Sequence, residues 1–537
     1  MPMPLAGVPK RGAPTHNRDP FVHALVQALA DVETFSRVVL RRPLRPYQVP
    51  PARAAVLSAL RHDGEQYVWR FPRQSGKNET LAHVHAYLLF LFQRVKGAMI
   101  VHTAPTFDPQ CKIAIRRLLE ITSGNPFFKD LHTSSNLIRL GQARILFLSG
   151  MERDKPNVGA TASVLLSLDE CQDLDPQYVA RAFDPMTANT NAPHIHTGTA
   201  RHTGTYLAQK RVQLEAQQAQ DSKQRVFIIN WRQVAEVNPA YGQHVQQEIV
   251  RLGALHPVIQ TEYENVETAQ TGRLFDERRL ELIFSSATPR ALSSSGGSPP
   301  NARAEERSAE YSRVATLDVG AADLMQENRE HDFTVAAIHR VTFDGAIPSL
   351  PTFTTIDYLA LQGANVLDDT PARRRLFSFL DSNNPVRIVT DATGLGRGLA
   401  SALLNRYPSR VIPFIFTPAS KTELLHQWLA LIETGRYRHY QLLAKANGYS
   451  DVDYARLREQ LVRCEHDERP SRNGVAYHTE WGVPATATWH NPHTLEEEPL
   501  HDDHLMAVAL VSVLADADLK VRTATSTPAP RRLPMED

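Results

Sequence analysis

The sequence predicts an α/β protein built from two successive sheet-based units, and three observations carry that expectation. Short apolar runs alternate with longer helix-spaced stretches in both halves of the chain. A stretch rich in Ser, Pro, Gly and Ala, Ser285–Glu310, lies between the halves and has no apolar periodicity. In each half, several apolar runs end in acidic or glycine-bearing turns.

Taken in order, Tyr67–Phe71, Ala98–Thr103, Ile145–Leu148 and Val164–Leu168 read as buried strands. Leu81, Val84, Leu88 and Phe92 give Glu79–Gln93 the spacing of a helix between the first two. Strand, loop, helix and strand in succession is the grammar of a parallel sheet. Helix dominates from about Tyr206 to Leu282, which reads as a lid or subdomain. Strands resume at Val314–Val319, Phe333–His339, Thr352–Leu359 and Val386–Thr390, and a helix closes the second half over Asp503–Leu514. The expected organisation is a loose segment over 1–20, a first domain over 21–205 and its helical lid over 206–284. A linker over 285–310, a second domain over 311–522 and a loose tail over 523–537 follow.

Composition excludes several classes. Of 537 residues, 42% are hydrophobic and 22% charged, as in ordinary globular proteins. No run approaches eighteen apolar residues, so no membrane partner is expected. The polar, proline-rich start lacks the apolar centre of a signal peptide, and Cys111, Cys171 and Cys464 are scattered without ligand spacing; both fit the cytoplasm. With 59 basic against 58 acidic residues, any grip on nucleic acid is expected to be local and transient.

Phe71-Pro-Arg73-Gln74-Ser75-Gly76-Lys77-Asn78-Glu-Thr80 falls between a predicted strand and a predicted helix. Phosphates need backbone N–H groups at a helix start plus one long cation, and Ser75, Gly76 and Lys77 supply them. The strict phosphate-loop spacing is missed twice: Phe71 holds the first-glycine position, and Asn78 replaces the Ser or Thr that holds magnesium. Val164–Leu168 runs into Asp169 and Glu170, the first suited to Mg²⁺ and the second to orienting the attacking water. Roughly 90 residues separate the two pieces, a workable interval for a P-loop fold.

From these residues onward the sequence resembles terminase large subunits. Arg45-Pro-Tyr-Gln48 is similar to the family's adenine-contacting Q motif, and Arg73 opens the modified Walker A as in that family. Thr103–Asp108, Leu148–Gly150 and Gly159–Thr161 match intermediate motifs. Thr197-Gly198-Thr199-Ala200 resembles the segment that couples hydrolysis to movement. The resemblance implies that Gln48, Arg73, Gln74, Ser75, Gly76, Lys77, Asn78 and Asp169 bind nucleotide, that Glu170 and Arg73 are catalytic, and that Asp169 holds the ion accompanying ATP.

In the second half, Asp318 ends the run Val314–Leu317, Asp391 follows Val386–Thr390, and Asp502 and Asp503 open the last helix. Taken singly, strand-end acids start turns and helix-start acids cap helices. Their order, acid–strand, acid–strand, acid–helix, is that of RNase H-like nucleases, where carboxylates share two cations about 4 Å apart. Terminase nuclease domains resemble this part too, with a DxG-type first motif and an HDD final motif. Asp318, Asp391 and Asp503 are the implied catalytic metal ligands, with Asp502 as an alternative or additional one. Met506 stands where many relatives carry a further acid. Lys421 reads either as a DNA-backbone contact or as a solvated lysine, and His478, His490, His493, His501 and His504 fit no zinc template.

The fold thus expected is a P-loop NTPase with a RecA/ASCE-like parallel sheet, followed by an RNase H-like nuclease domain. The implied function is ATP-driven translocation of double-stranded viral DNA into a procapsid, with metal-dependent endonucleolytic cutting of the concatemer. The cofactors would be ATP with one Mg²⁺, and two Mg²⁺ or Mn²⁺ ions for cutting. Implied partners are double-stranded DNA, the portal protein of the procapsid, a small terminase subunit and further copies of the chain, a pentamer when docked and a possible monomer in solution. The implied location is the host cytoplasm rather than the mature virion. Two alternatives stay open: a helicase- or repair-type ATPase–nuclease, and an inactive prophage remnant serving as a DNA-binding scaffold.

Overall fold

The computed structural model describes residues 31–151, 159–284, 312–320, 332–343, 345, 347, 349–363, 365–440, 452–470, 477–517 and 519. The predicted end segments over 1–20 and 523–537 and the predicted linker over 285–310 lie outside them. The chain divides into two compact units. The first takes the described residues to Arg201 with Thr205–Gly242; the second takes His202–Gly204 and the described residues from Gln243 on.

In the first unit, helices α1 (Val32–Val38) and α2 (Val49–Arg61) lead into strand β1 (Gln66–Arg70) and helix α3 (Lys77–Phe92). Strand β2 (Met99–Ala104) and helix α4 (Lys112–Thr122) follow, then strands β3 (Leu131–Thr133), β4 (Leu137–Leu140) and β5 (Ala143–Ser149). Next come β6 (Leu165–Leu168), β7 (His194–Gly198), α5 (Tyr206–Asp221), β8 (Val226–Ile228) and α6 (Trp231–Val237). The strands form one sheet in the order β3-β4-β5-β2-β6-β7-β1-β8. From β5 to β8 every pairing is parallel, and β3 and β4 add an antiparallel edge. Since β7 lies between β1 and β6, the sheet is RecA/ASCE-like, as expected. Parallel strands are covered on both faces, which is why β6 is buried throughout as an unbroken apolar run. Val68, Val101, Leu166 and Leu168 pack there with Phe183, Leu207 and Leu214.

Helix α7 (Pro239–Leu252) carries the chain into the second unit, where β9 (Thr271–Arg273) and α8 (Glu277–Phe284) precede β10 (Ser312–Asp318). Then come β11 (Phe333–Thr342), β12 (Thr352–Gln362), α9 (Pro371–Asn383), β13 (Arg387–Asp391), α10 (Gly396–Arg406) and β14 (Val411–Phe414). Helix α11 (Pro418–Glu433), β15 (Tyr437–His439), α12 (Val452–Arg463), β16 (Glu465–Pro470) and β17 (Tyr477–Gly482) follow. The last elements are β18 (Thr488–His490), β19 (Glu497–Pro499) and α13 (Asp503–Ala509), which tightens into a 3₁₀ turn over Leu510–Leu514. The main sheet runs β14-β13-β10-β11-β12-β15. An antiparallel β10-β11-β12 meander flanked by parallel β13 and β14 is the RNase H-like arrangement. Both faces of β10 are buried: Val314 faces Trp428 and Leu505 in one core, while Ala315 and Leu317 join Leu376 and Leu399 in the other.

The sequence places a lid of the first domain over 206–284. The division instead falls at Gly242, because the later part of that span packs within the second unit. Strand β9 pairs with β16, and Arg278 and Arg279 both reach the Glu433 carboxylate, at 2.7 and 2.9 Å. Among the described residues no helix is long and apolar enough to cross a membrane.

Candidate active sites

In open α/β sheets ligands gather beyond the carboxyl ends of the strands. In the first unit the predicted phosphate loop leaves β1 there and closes on α3. Gln74 and Gly76 both adopt left-handed backbone, with φ of 58° and 95°. Gly76 is demanded twice, since a Cβ there would stand 2.6 Å from Gln48 Nε2. The loop is tied from three sides. The Tyr47 hydroxyl donates to Ser75 O at 2.7 Å, Gln48 Nε2 to Gly76 O at 3.1 Å, and the Tyr241 hydroxyl to Arg73 O at 2.8 Å. Gln48 also accepts from Arg45 N at 2.8 Å, so the Q motif braces the loop itself. The Arg73 and Gln74 side chains are exposed, and Ser75 is buried with its hydroxyl on Pro72 O.

Across from the loop, Asp169 and Glu170 leave β6. Lys77 Nζ lies 2.9 Å from Asp169 Oδ1 and 2.5 Å from Glu170 Oε1. Burial opposes the ammonium charge, but the two carboxylates outweigh it and hold the Lys77 pKa above its usual value. Burial raises the Asp169 pKa despite Lys77. Glu170 is buried too, yet Lys77 and the Gln172 amide pull it below the usual carboxylate range, so it is an anion at neutral pH.

Among the buried oxygens of this unit without a hydrogen-bond partner in the described residues are Asn78 Oδ1, Thr103 Oγ1 and Thr197 Oγ1. Asn78 follows Lys77 on α3, and β2 and β7 bring Thr103 and Thr197 to the same end of the sheet as Asp169. Unsatisfied carbonyl and hydroxyl oxygens beside an acid are hard donors of the kind magnesium takes. The residues therefore fit Mg²⁺ with a nucleotide phosphate, and Asn78 supplies an oxygen where a Ser or Thr hydroxyl is usual.

Of the predicted coupling residues, Thr197 and Gly198 are buried on β7 and Thr199 is half-buried. A Cβ on Gly198 would overlap the Gln172 amide, whose Nε2 donates to Glu170 Oε2 at 2.7 Å. Gln172 thus links the coupling strand to Glu170. Sequence reading passes over it, because a glutamine four residues after a strand carries no motif.

The second unit brings its predicted acids together at one end of its main sheet. Strands β10 and β13 are parallel neighbours with Leu317 opposite Thr390, so Asp318 and Asp391 leave adjacent strands side by side. Asp318 is half-buried, and its pKa is driven well above the usual carboxylate range by burial and by the charges of Asp503, Asp502 and Asp391. Asp503 is buried, accepts from Phe333 N at 3.2 Å, and is pushed up to about 7 by burial with Asp332 and Asp502 beside it. Burial raises Asp502 as well. Asp391, also raised by burial, accepts from Thr393 N at 2.7 Å.

Lys421, on the first turn of α11, answers these charges in part. Its Nζ stands 3.7 Å from Asp502 Oδ2 and 5.5 Å from the centre of the Trp481 ring. It therefore faces the carboxylates while remaining partly exposed. Asp332 is an acid the sequence reading omits: it borders Asp502 and Asp503 electrostatically and pairs with His501 at 3.3 Å. An acid just ahead of a strand has no motif signal.

Among the described residues no group of three or more His, Cys, Asp or Glu side chains is arranged to hold a metal ion as it stands. The donor set, all carboxylate oxygens raised by burial and mutual repulsion, is chemically that of a Mg²⁺ or Mn²⁺ site. Met506 sits in the apolar core and offers no fifth acid. His504 is fully buried and bonds Asp453 at 2.8 Å.

No protein-family model matches the sequence, and no curated protein matches it. Among solved structures, the chain is similar to the large terminase of a thermophilic bacteriophage, at 9% identity over 88% of this chain and 98% of that one, with a TM-score of 0.43. It is similar to the HK97 bacteriophage large terminase at 13% identity over 90% and 98%, with a TM-score of 0.36. It is also similar to the large terminase nuclease of thermophilic phage G20c with bound magnesium, at 13% identity over 44% and 94%, with a TM-score of 0.28. Likeness at this level carries no inference about chemistry.

Proposed function

We propose that this chain is a terminase large subunit, which hydrolyses ATP to drive double-stranded DNA into a procapsid and cuts that DNA with a metal-dependent nuclease. The observation that carries the reading is the gathering of Asp318, Asp391, Asp502 and Asp503, from three separate stretches, at one end of an RNase H-like sheet. In the same chain a phosphate loop faces a strand-end acid pair. The motif order in the sequence supports it independently. A translocating helicase would need a second RecA-like sheet, and the second unit's described strands form a different one.

In the ATPase reaction the loop amides and Lys77 bind the phosphates, so Lys77 exchanges the two carboxylates for the nucleotide. Asp169 and Asn78 would hold the magnesium ion, which when bound would neutralise charge on the nucleotide phosphates. Glu170, released from Lys77 but still gripped by Gln172, orients the attacking water and takes its proton. Arg73, exposed at the loop, stabilises charge developing in the transition state. Thr197–Ala200 pass the change at Glu170 to the rest of the unit through Gln172.

In the nuclease reaction Asp318, Asp391 and Asp503, with Asp502, would hold Mg²⁺ or Mn²⁺, which when bound would supply Lewis acidity toward the phosphate and the attacking water. Lys421 offers a positive charge to the DNA phosphate once Asp502 is engaged. The portal protein, a small terminase subunit and a pentameric ring at the procapsid complete the proposal, with host cytoplasm as the setting. The test is the purified chain: ATP turnover lost in Lys77→Ala, and Mn²⁺-dependent plasmid cleavage lost in Asp391→Ala. A chain that hydrolyses no ATP and cuts no DNA would leave only the DNA-binding scaffold.

A further inference from the structure

An aspartate at the start of a helix ordinarily spends its carboxylate on the free N–H groups of the first turn. Asp502 holds that position on α13 but makes no side-chain cap bond. The acceptor comes instead from another helix. Leu505 N, the third amide of α13, donates to Gln460 Oε1 at 2.8 Å, and Gln460 Nε2 donates to His501 O at 2.6 Å. Gln460 is fully buried and grips the Asp502–Asp503 turn from both sides.

The grip is broader than one residue. Asp453, Arg456 and Gln460 recur at the spacing of a single face of α12. Asp453 accepts from His504 Nε2 at 2.8 Å. Arg456 lies 4.1 Å from the centre of the Phe333 ring, and the backbone N–H of Phe333 is the donor to Asp503 Oδ2. One helix face therefore sets the turn, the ring behind it and the amide that orients the second acid.

We infer that Gln460 is a positioning residue of the nuclease centre: it caps α13 in place of Asp502 and so leaves that carboxylate to the metal. The inference rests on the nuclease reading above. Without Gln460, the orphaned Leu505 amide recruits the Asp502 carboxylate, and the cation site loses a ligand. Gln460→Met keeps the length and packing of the side chain while removing both hydrogen bonds. Gln460→Glu retains the acceptor for Leu505.

The experiment is Mn²⁺ titration of the full chain by calorimetry, beside the Mn²⁺ dependence of plasmid cleavage and the rate of ATP hydrolysis. The Mn²⁺ binding that disappears in Asp503→Asn defines the site. In Gln460→Met that binding weakens about tenfold or more, while ATP hydrolysis is unchanged. In Gln460→Glu it stays within about threefold of the wild type, because the cap is retained. If Gln460→Met shows no cooperative melt, Gln460→Asn, too short to span both partners, carries the same expected loss. Unchanged Mn²⁺ binding in the folded variant, or equal weakening in the Met and Glu variants, would overturn the inference. Binding indifferent to Asp503→Asn would instead overturn the nuclease reading, and the role of Gln460 with it.

Discussion

The two sites solve the same electrostatic problem in opposite ways. In the first unit a pair of buried acids already has its cation, because Lys77 reaches both Asp169 and Glu170. In the second unit four carboxylates crowd together; partly exposed Lys421 stands 3.7 Å from Asp502, and the Arg456 charge reaches Asp503. The first site can wait for its ligand with its two acids already paired, a pairing that the nucleotide rearranges. The second crowds carboxylates whose mutual repulsion is relieved by protonation or by an added cation. The difference teaches that a charged site's resting stability and its function need not be aligned.

The largest expected effect sharpens that contrast from the ATPase side. Lys77→Ala should lower ATP turnover by on the order of 10³-fold, since it removes the cation that meets the phosphates. It should also destabilise the metal-free protein by about 3–5 kcal/mol, because it strands two buried carboxylates. Steady-state turnover and urea melts in EDTA read the two effects. DNA cleavage should survive in the folded variant, and its loss would break the separation of the sites.

Asp503→Asn should do the reverse to stability. Cleavage should fall by at least about 10²-fold, judged by plasmid nicking in Mn²⁺. Yet the melting temperature in EDTA should rise by about 2–4 °C, since one of several crowded like charges is gone. Adding Mn²⁺ should stabilise the wild type more than this variant. A lower melting temperature in EDTA would mean that the carboxylates are not repelling one another.

A third prediction concerns pH and the sheet beneath the first site. His194 on β7 is buried, and burial together with the nearby positive charge of Lys210 lowers its pKa to about 4. Around it stand the His196 ring 5.8 Å away, Asp184 Oδ1 at 3.9 Å and the Thr187 hydroxyl at 2.6 Å. The unfolded chain takes up this proton near pH 6.5, before the folded one does. The stabilisation belonging to neutral His194 is therefore present above 6.5 and lost as pH falls toward 4. Between pH 7 and pH 5 the wild type should lose about 2 kcal/mol more than His194→Asn in urea melts. Equal losses would place the acid sensitivity elsewhere.

Much of this was legible in the sequence. Strands buried on both faces announce themselves as apolar runs, so β1, β2, β6, β10 and β13 were found within a residue or two of their ends. Their terminal acids were visible for the same reason: a charge at the end of such a run stands out. Strand β7 was not, because its sequence, HIHTG, buries two histidines whose burial depends on tertiary partners. A helical stretch does not say which core it joins, and the residues from Gln243 to Phe284 belong to the second unit. Asp332, Gln172 and Gln460 were invisible: each acts through a hydrogen bond or a field from a residue distant in sequence or lacking a motif.

Gln172 offers the smallest and most discriminating test of the contrast. If the two acids of the ATPase site are paired at rest, the site's working geometry depends on what still holds Glu170 once Lys77 turns to the phosphates. That holder is the Gln172 amide, 2.7 Å from Glu170 Oε2 and packed against Gly198. Gln172→Ala should therefore leave nucleotide affinity within about twofold while lowering turnover about tenfold, the usual scale for a group that orients a reacting one. Fluorescent-nucleotide binding beside steady-state ATPase rates reads both. Equal losses in binding and turnover would assign Gln172 to the general stability of the loop. A loss confined to turnover would tie Glu170 to the coupling strand through this one amide.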